Sequence, residues 1–365
     1  MNNIPLRWFG TLVLASAISA PVAAGELGDL FDEYQLAIES GSKSEIAQAA
    51  RVVFEFTSEN LPDSNKSRAA SALNYGSALI ALKRYGEAER VLSKAMRVYR
   101  SSYGDAAEAL VDPLMLKAQA RAGNVGHSSR RRYRDYIDQA LEIVERSRGK
   151  NSFLYASLLQ EGGRIGIDIA GDRFALEYLE HAYTAFTGPL AEYKLERFLA
   201  SFYLGKFFLL KKSYRQAEPF LVEALALVDS SSEKDTQLEL TARAFLVEVY
   251  DSLGENEKSI AQCRAIGKAT PFNMDQEPKP LFRRNPRYPT AALRSQTEGY
   301  AIAEFTINDA GFAKDIAILE TKGSGSFGRA THDYLEALRF APRFEDGVAV
   351  DTPGRKMKVS FNIAN

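Results

Sequence analysis

What most restricts this chain is a frame of small and large residues that returns at fixed intervals. Gly76, Tyr85, Ala88, Leu92 and Ala95 are spaced as Gly205, Tyr214, Ala217, Leu221 and Ala224 are. Gly163, Asp172, Ala175, Leu179 and Ala182 repeat that spacing, with an aspartate in place of the tyrosine. Val247, Asn256, Ser259, Cys263 and Ile266 make a degenerate copy after Leu253-Gly254. Small residues at such intervals let two helices approach, larger ones fill the gap, and successive units stack to bury a shared face. The texture is helical from about Leu27 to Ala269. A further copy, Leu114 to Ala120 with Tyr133 to Ala140, fits if the loop from Gly123 to Arg132 is extended. Phe31 to Ala37 with Ile46 to Val53 reads as a worn first unit, which brings the expectation to five or six.

Beyond this array the pattern changes. Pro271 to Pro289 holds five of the 13 prolines, which deny the segment a helix, so residues 270–284 are expected to be a semi-rigid linker and domain boundary. From Tyr300 to Ile307 the hydrophobic period is two: Ala301, Ala303, Phe305 and Ile307 share one face, and Tyr300, Ile302, Glu304 and Thr306 the other. Asn308-Asp309-Ala310-Gly311 reads as a turn into a second strand, Phe312 to Leu319. Ser326 is the expected N-cap of a helix from Phe327 to Phe340, and a loop with Asp346-Gly347 and Pro353-Gly354 follows. In the last strand Met357, Val359, Phe361 and Ile363 are expected inward, with Lys356, Lys358, Ser360 and Asn362 outward.

The C-terminal pieces, taken together, resemble the TonB C-terminal domain, the receptor-binding module of periplasmic energy transducers of Gram-negative bacteria. They are Tyr288-Pro289-x-x-Ala292, Glu298-Gly299, Phe305-x-Ile307-x-x-x-Gly311, Leu338-x-Phe340-x-Pro342 and Val359-x-Phe361-x-Ile363. The resemblance implies a three-stranded antiparallel sheet with two helices, whose last strand lies at an edge. It implies that this edge takes up a short extended peptide, the TonB box of an outer-membrane transporter, by strand addition. Carried over to this chain, the partner-binding candidates are Arg355, Lys356, Lys358, Ser360 and Asn362 on the edge, with Asn285, Arg287 and Tyr288 in the lead-in. The repeating frame is similar to the tetratricopeptide repeat. Its interval of 42 residues, from Gly163 to Gly205, exceeds the usual ~34, as in the long-helix variant of that repeat. That resemblance implies a solenoid whose concave face binds a protein partner.

At the start, Arg7 precedes an uncharged run from Trp8 to Ala24 that ends in Val22-Ala23-Ala24. This reads as a cleaved secretory signal and hence a periplasmic protein; the alternative is an uncleaved inner-membrane anchor facing the periplasm. The fold expectation is mainly α: residues 1–24 a signal peptide, 27–269 a tetratricopeptide-like α-solenoid, 270–284 the linker, and 285–365 a small α+β TonB-like domain.

With 46 basic and 47 acidic side chains there is no electrostatic case for nucleic acid. Neither a cofactor nor a metal is expected: His127, His181 and His332 lie far apart, and no H-E-x-x-H, phosphate cradle or nucleophile elbow occurs. Cys263 is flanked by Ile260 and Ile266 and reads as a buried structural thiol. The chain is therefore read as an interaction protein rather than an enzyme, with a homodimer through the C-terminal domain, or a membrane-anchored transducer, as alternatives.

Overall fold

The computed structural model describes residues 21–124, 132–167, 173–228, 233–274, 276–282 and 284–363. Most of the signal stretch, His127, Arg130, Arg131 and the repeat position Asp172 lie outside the described residues. The chain divides into two compact units, Met1–Glu192 and Tyr193–Asn365, so the proline-rich segment falls inside the second.

The first unit consists of paired helices. They are α1 (Pro21–Ser40) with α2 (Lys43–Asn60), α3 (Lys66–Ala81) with α4 (Tyr85–Tyr103), α5 (Val111–Gly123) with α6 (Arg132–Arg148), and α7 (Phe153–Ile167) with α8 (Arg173–Thr187). The second opens with two more pairs, α9 (Lys194–Leu210) with α10 (Tyr214–Ala226) and α11 (Glu233–Leu253) with α12 (Asn256–Ala269).

The frame read in the sequence is the contact that closes these pairs. A Cβ on Gly76 would meet Leu92 at 2.5 Å, one on Gly163 would meet Leu179 at 2.5 Å, and one on Gly205 would meet Leu221 at 2.6 Å. Glycine is thus required for the close approach, and the alanines of the frame are fully buried beside it. The degenerate copy exchanges the sizes: Val247 stands at the glycine position and the smaller Cys263 at the leucine position, both buried in one cluster. Burial pushes the Cys263 thiol up to about 12, which leaves it protonated and inert.

The turns inside the pairs recur as well. Lys83, Lys212 and Gly254 all have positive φ, at 61°, 57° and 77°. In each, the next residue's N–H reaches five residues back, Arg84 to Leu79 O, Ser213 to Phe208 O and Glu255 to Tyr250 O. This is a left-handed helix cap, for which two of the three copies use lysine rather than glycine.

The rest of the second unit is α+β. After α13 (Thr290–Arg294), strand β1 (Gly299–Ile307) pairs antiparallel with β2 (Ala313–Lys322) and with β5 (Thr352–Phe361), giving the order β2-β1-β5. Helix α14 (Ser326–Glu336) lies over β1 and β2. The core gathers Ala301, Ala303, Phe305, Ile307, Phe327, Leu335, Leu338, Phe340, Met357, Val359 and Phe361 on the expected inward positions.

Three details depart from the sequence reading. Helix α14 ends at Glu336 and its N-cap is Gly325, with Ser326 already inside the helix. Ala337 is a turn, residues 338–342 form no regular element apart from a single bridge of Arg339 to Phe312, and Leu338 and Phe340 reach into the core. The segment read as a loop carries a hairpin, β3 (Arg343–Glu345) with β4 (Val348–Val350), closed by Asp346 and Gly347 at φ 49° and 79°. An Asp-Gly pair with both φ positive is the turn that fits strand twist. Ile363 lies beyond the end of β5.

Candidate functional site

Strand β5 is the free edge the sequence pointed to, and hydrogen-bond parity shows which of its backbone groups are free. Asn308 donates its N–H to Phe312 O and accepts from the Gly311 N–H, so its backbone faces β2. Alternation along β1 then turns Gly299, Ala301, Ala303 and Phe305 toward β5, opposite Phe361, Val359, Met357 and Arg355. The Ile363 N–H, donated to Glu298 Oε1 at 2.6 Å, keeps the same parity. The N–H and C=O groups of Lys356, Lys358 and Ser360 therefore point away from β1. Among the described residues, no loop or turn backbone bond reaches residues 352–361.

The β1–β5 ladder runs without interruption from Gly299↔Phe361 to Phe305↔Arg355. At its far end Asp351 accepts from Asp309 N at 3.0 Å and Lys314 Nζ at 2.5 Å, tying the β1–β2 turn to the start of β5. The Lys314 bond holds the Asp351 carboxyl below the usual carboxylate range.

Side chains of the outward residues lie on the uncovered face of the sheet. Lys356 pairs with Glu304 at 3.3 Å. Lys358 stands 3.9 Å from the centroid of Tyr300, whose hydroxyl donates to Glu320 at 2.6 Å. That bond raises the Tyr300 hydroxyl above its ordinary range. Residues 284–363, which carry all of this, match a known family. It is the Gram-negative bacterial TonB protein C-terminal.

This family is one of non-enzymatic transducers and interaction domains, and the match covers the TonB-like domain alone. No curated protein matches the chain. Among solved structures the chain is similar to the Assembly Chaperone of RpL4 (Acl4), residues 1-338. The identity is 16% and the TM-score 0.44, over 66% of this chain and 89% of that one.

The other candidates named from the sequence divide by what they touch. Tyr288 is a core residue of the TonB-like domain: its ring meets Phe327 and Phe361 edge-on at 5.8 Å and 5.7 Å, and its hydroxyl donates to Thr297 O at 2.8 Å. It anchors the lead-in at the Phe361 end of β5, with Asn285 and Arg287 exposed just before it. Asn362 is exposed past the strand end. Arg355 is 5% exposed; its guanidinium donates to Met274 O at 2.6 Å and to Gln276 O. Its backbone faces β1 and its side chain is spent on the proline-rich segment, so it offers the edge nothing directly.

Sequence reasoning passed over the residues that seat the TonB-like domain on α11 and α12. The Asp251 carboxylate receives both Arg339 and Arg284, the latter at 2.6 Å. Burial lowers the Arg339 guanidinium from its usual value, and the carboxylate beside it opposes that shift. Arg264 pairs with Asp309 at 2.6 Å. A Cβ on Gly267 would meet Pro342 O at 2.2 Å. Phe282 is buried with Val247, Cys263 and Ile266, and the Leu281 N–H donates to Arg339 O at 2.8 Å. One signal was readable: by the period of two, Arg355 shares a face with Met357 and Val359, which forecasts a buried, hydrogen-bonded arginine. His332, Asp333 and Glu336 lie within 4.8 Å of one another on an exposed turn of α14, where His332 and Glu336 form a 3.8 Å helical pair.

Proposed function

We propose that the β5 edge takes up an extended segment of a partner protein by strand addition, the segment being the TonB box of an outer-membrane transporter. The observation that carries this is the uninterrupted stretch of the β1–β5 ladder from Phe305↔Arg355 to Gly299↔Phe361, behind which Lys356, Lys358 and Ser360 offer three outward N–H groups and three outward C=O groups. Each bond formed there contributes about 0.5–1.5 kcal/mol net, enough in sum for a reversible complex. The protein works in the periplasm after loss of residues 1–24. The paired helices are tetratricopeptide-type units that hold a second partner, so the chain joins two proteins and catalyses nothing.

Photo-crosslinking in whole cells tests this, with the reactive residue placed at Ser360 on one edge or at Lys322 on the other. Capture from Ser360 of the extended segment of an outer-membrane transporter, lost in Lys358→Pro, is the expected result. The proline removes an outward N–H without touching the β1 ladder, as edge strands tolerate. Equal capture from both edges, or capture indifferent to Lys358→Pro, refutes the reading.

A further inference from the structure

We propose that an apolar shelf outside the family-matched segment, made by Phe272 and Met274, selects the partner segment by a large apolar side chain at the Arg355 end of β5. The proposal rests on strand addition at β5. Phe272 and Met274 are 38% and 52% exposed, unusual for a phenylalanine and a methionine in a segment fixed by buried bonds. They are held in place from two sides. Arg355 donates to Met274 O at 2.6 Å and lies 3.6 Å from Met274 Sδ. The Phe272 ring centroid stands 5.6 Å from the Arg355 guanidinium and 5.7 Å from that of Arg343. Across the ladder from Arg355, the inward position Phe305 is covered by Phe340 at 5.5 Å. Phe272, Met274 and Gln276 therefore gather around the Arg355 side chain, at the end of β5 where the outward backbone groups begin with Lys356.

Pairing geometry then fixes what an incoming strand meets. Its residues that exchange hydrogen bonds with Lys356, Lys358 and Ser360 project to the solvent face with those side chains. Its residues opposite Arg355, Met357 and Val359 project to the inward face. The one opposite Arg355 arrives at Phe272 and Met274, and a leucine, isoleucine, phenylalanine or methionine there removes apolar surface on both partners from water. Burying half of such a side chain changes affinity about tenfold. Because Phe272 and Met274 lie outside residues 284–363, this selectivity belongs to the present chain rather than to the domain type.

The test is selection of a displayed library of random peptides on the full chain and on variants. The wild type is expected to enrich peptides with a large apolar residue at one fixed end of an extended consensus. Phe272→Ser with Met274→Ser is expected to enrich peptides lacking that preference, about tenfold weaker for the original set, and Phe272→Leu with Met274→Leu to restore it. Both side chains are partly exposed but touch Arg355 or Arg343, so the melting temperature is expected to fall slightly with the cooperative transition kept; a serine variant that loses that transition is replaced by Phe272→Gln with Met274→Gln. The same apolar preference in the polar variants overturns the shelf while leaving strand addition intact. Enrichment that survives Lys358→Pro, or no enrichment by the wild type, overturns strand addition and the shelf with it.

Discussion

The sheet of the TonB-like domain has two free edges, β2 and β5, and they are built differently. From Arg355 to Phe361, strand β5 faces β1 through an unbroken run of pairs, and its one register shift lies before that run, between Phe305↔Arg355 and Ile307↔Thr352. Strand β2 meets the same β1 with two register shifts, an extra residue at Leu319 and another between Ala317 and Lys314, where Asp315 holds φ 55°. A bulge rotates the groups that follow it, so β2 never presents a long row of donors and acceptors, whereas β5 does. The β2 edge also leaves Ile318 and Leu319 exposed, which an unprotected edge would turn into an aggregation site. Two bulges along β2 against a single shift at the start of β5 make the two edges unequal, and the proposed strand addition at β5 rests on that inequality.

The largest effect that sharpens this comparison comes from moving a proline by one residue. Val359→Pro removes an N–H committed to β1 and is expected to cost about 3 kcal/mol or more, seen as loss of the second unit's cooperative melting. Lys358→Pro is expected to leave melting within about 1 kcal/mol of wild type. If the two melt alike, the parity assigned to β5 is wrong, and with it the identity of the free backbone groups.

Next in size is Arg355→Ala, which strips Met274 and Gln276 of their anchor. Charge-assisted bonds to carbonyls contribute about 1.5–3 kcal/mol, so a loss of about 2–3 kcal/mol is expected, with new protease cleavage between Pro271 and Phe282. Among the described residues, nothing comparable holds a segment to the β2 edge. A variant as stable and as resistant as wild type would show that β5 has no such flank.

How far the sequence carried depends on whether a property repeats locally. Spacing of Gly76 and Leu92, of Gly163 and Leu179, and of Gly205 and Leu221 revealed helix pairs because the contact recurs with the interval. Alternation in Tyr300 to Ile307 and Met357 to Phe361 sorted inward from outward side chains, since period two is a backbone property. The bulges of β2 were not legible: Leu319 looks like one more apolar residue until its pairing with β1 is seen. Nor was the seating of the TonB-like domain on α11 and α12, because Asp251 finds Arg339 and Arg284 only through the fold. Proline density argued for a spacer between 270 and 284, but it says only that the segment is extended. Its far end is held down by Phe282, buried against Val247, Cys263 and Ile266, with Leu281 partly buried beside it.

Deleting Leu319 would remake one edge in the image of the other. Without the extra residue, Glu320 and Ile318 fall into register with Ile302 and Ala303. Since Leu319 is largely exposed, stability is expected to shift by no more than about 1 kcal/mol. Concentration-dependent association is expected to appear in sedimentation, because an apolar edge has lost its interruption. A variant that stays monomeric would mean that the second bulge alone protects β2.

That second bulge supplies the smallest and most local prediction. Asp315 sits in the left-handed region, which aspartate tolerates better than most residues but glycine occupies without cost. Asp315→Gly is expected to stabilise by about 0.5 kcal/mol, a rise of about 1–2 °C in Tm, with monomer retained. Asp315→Val carries a β-branched side chain that disfavours positive φ by about 1–2 kcal/mol, and it presses β2 toward regular pairing. On β5 the only residue with positive φ is Gly354, near the strand's start, where glycine already bears the conformation and the stretch from Arg355 to Phe361 stays straight. If Asp315→Val melts with wild type and remains monomeric, the left-handed residue does not enforce the break. The asymmetry of the two edges would then rest on Leu319 alone.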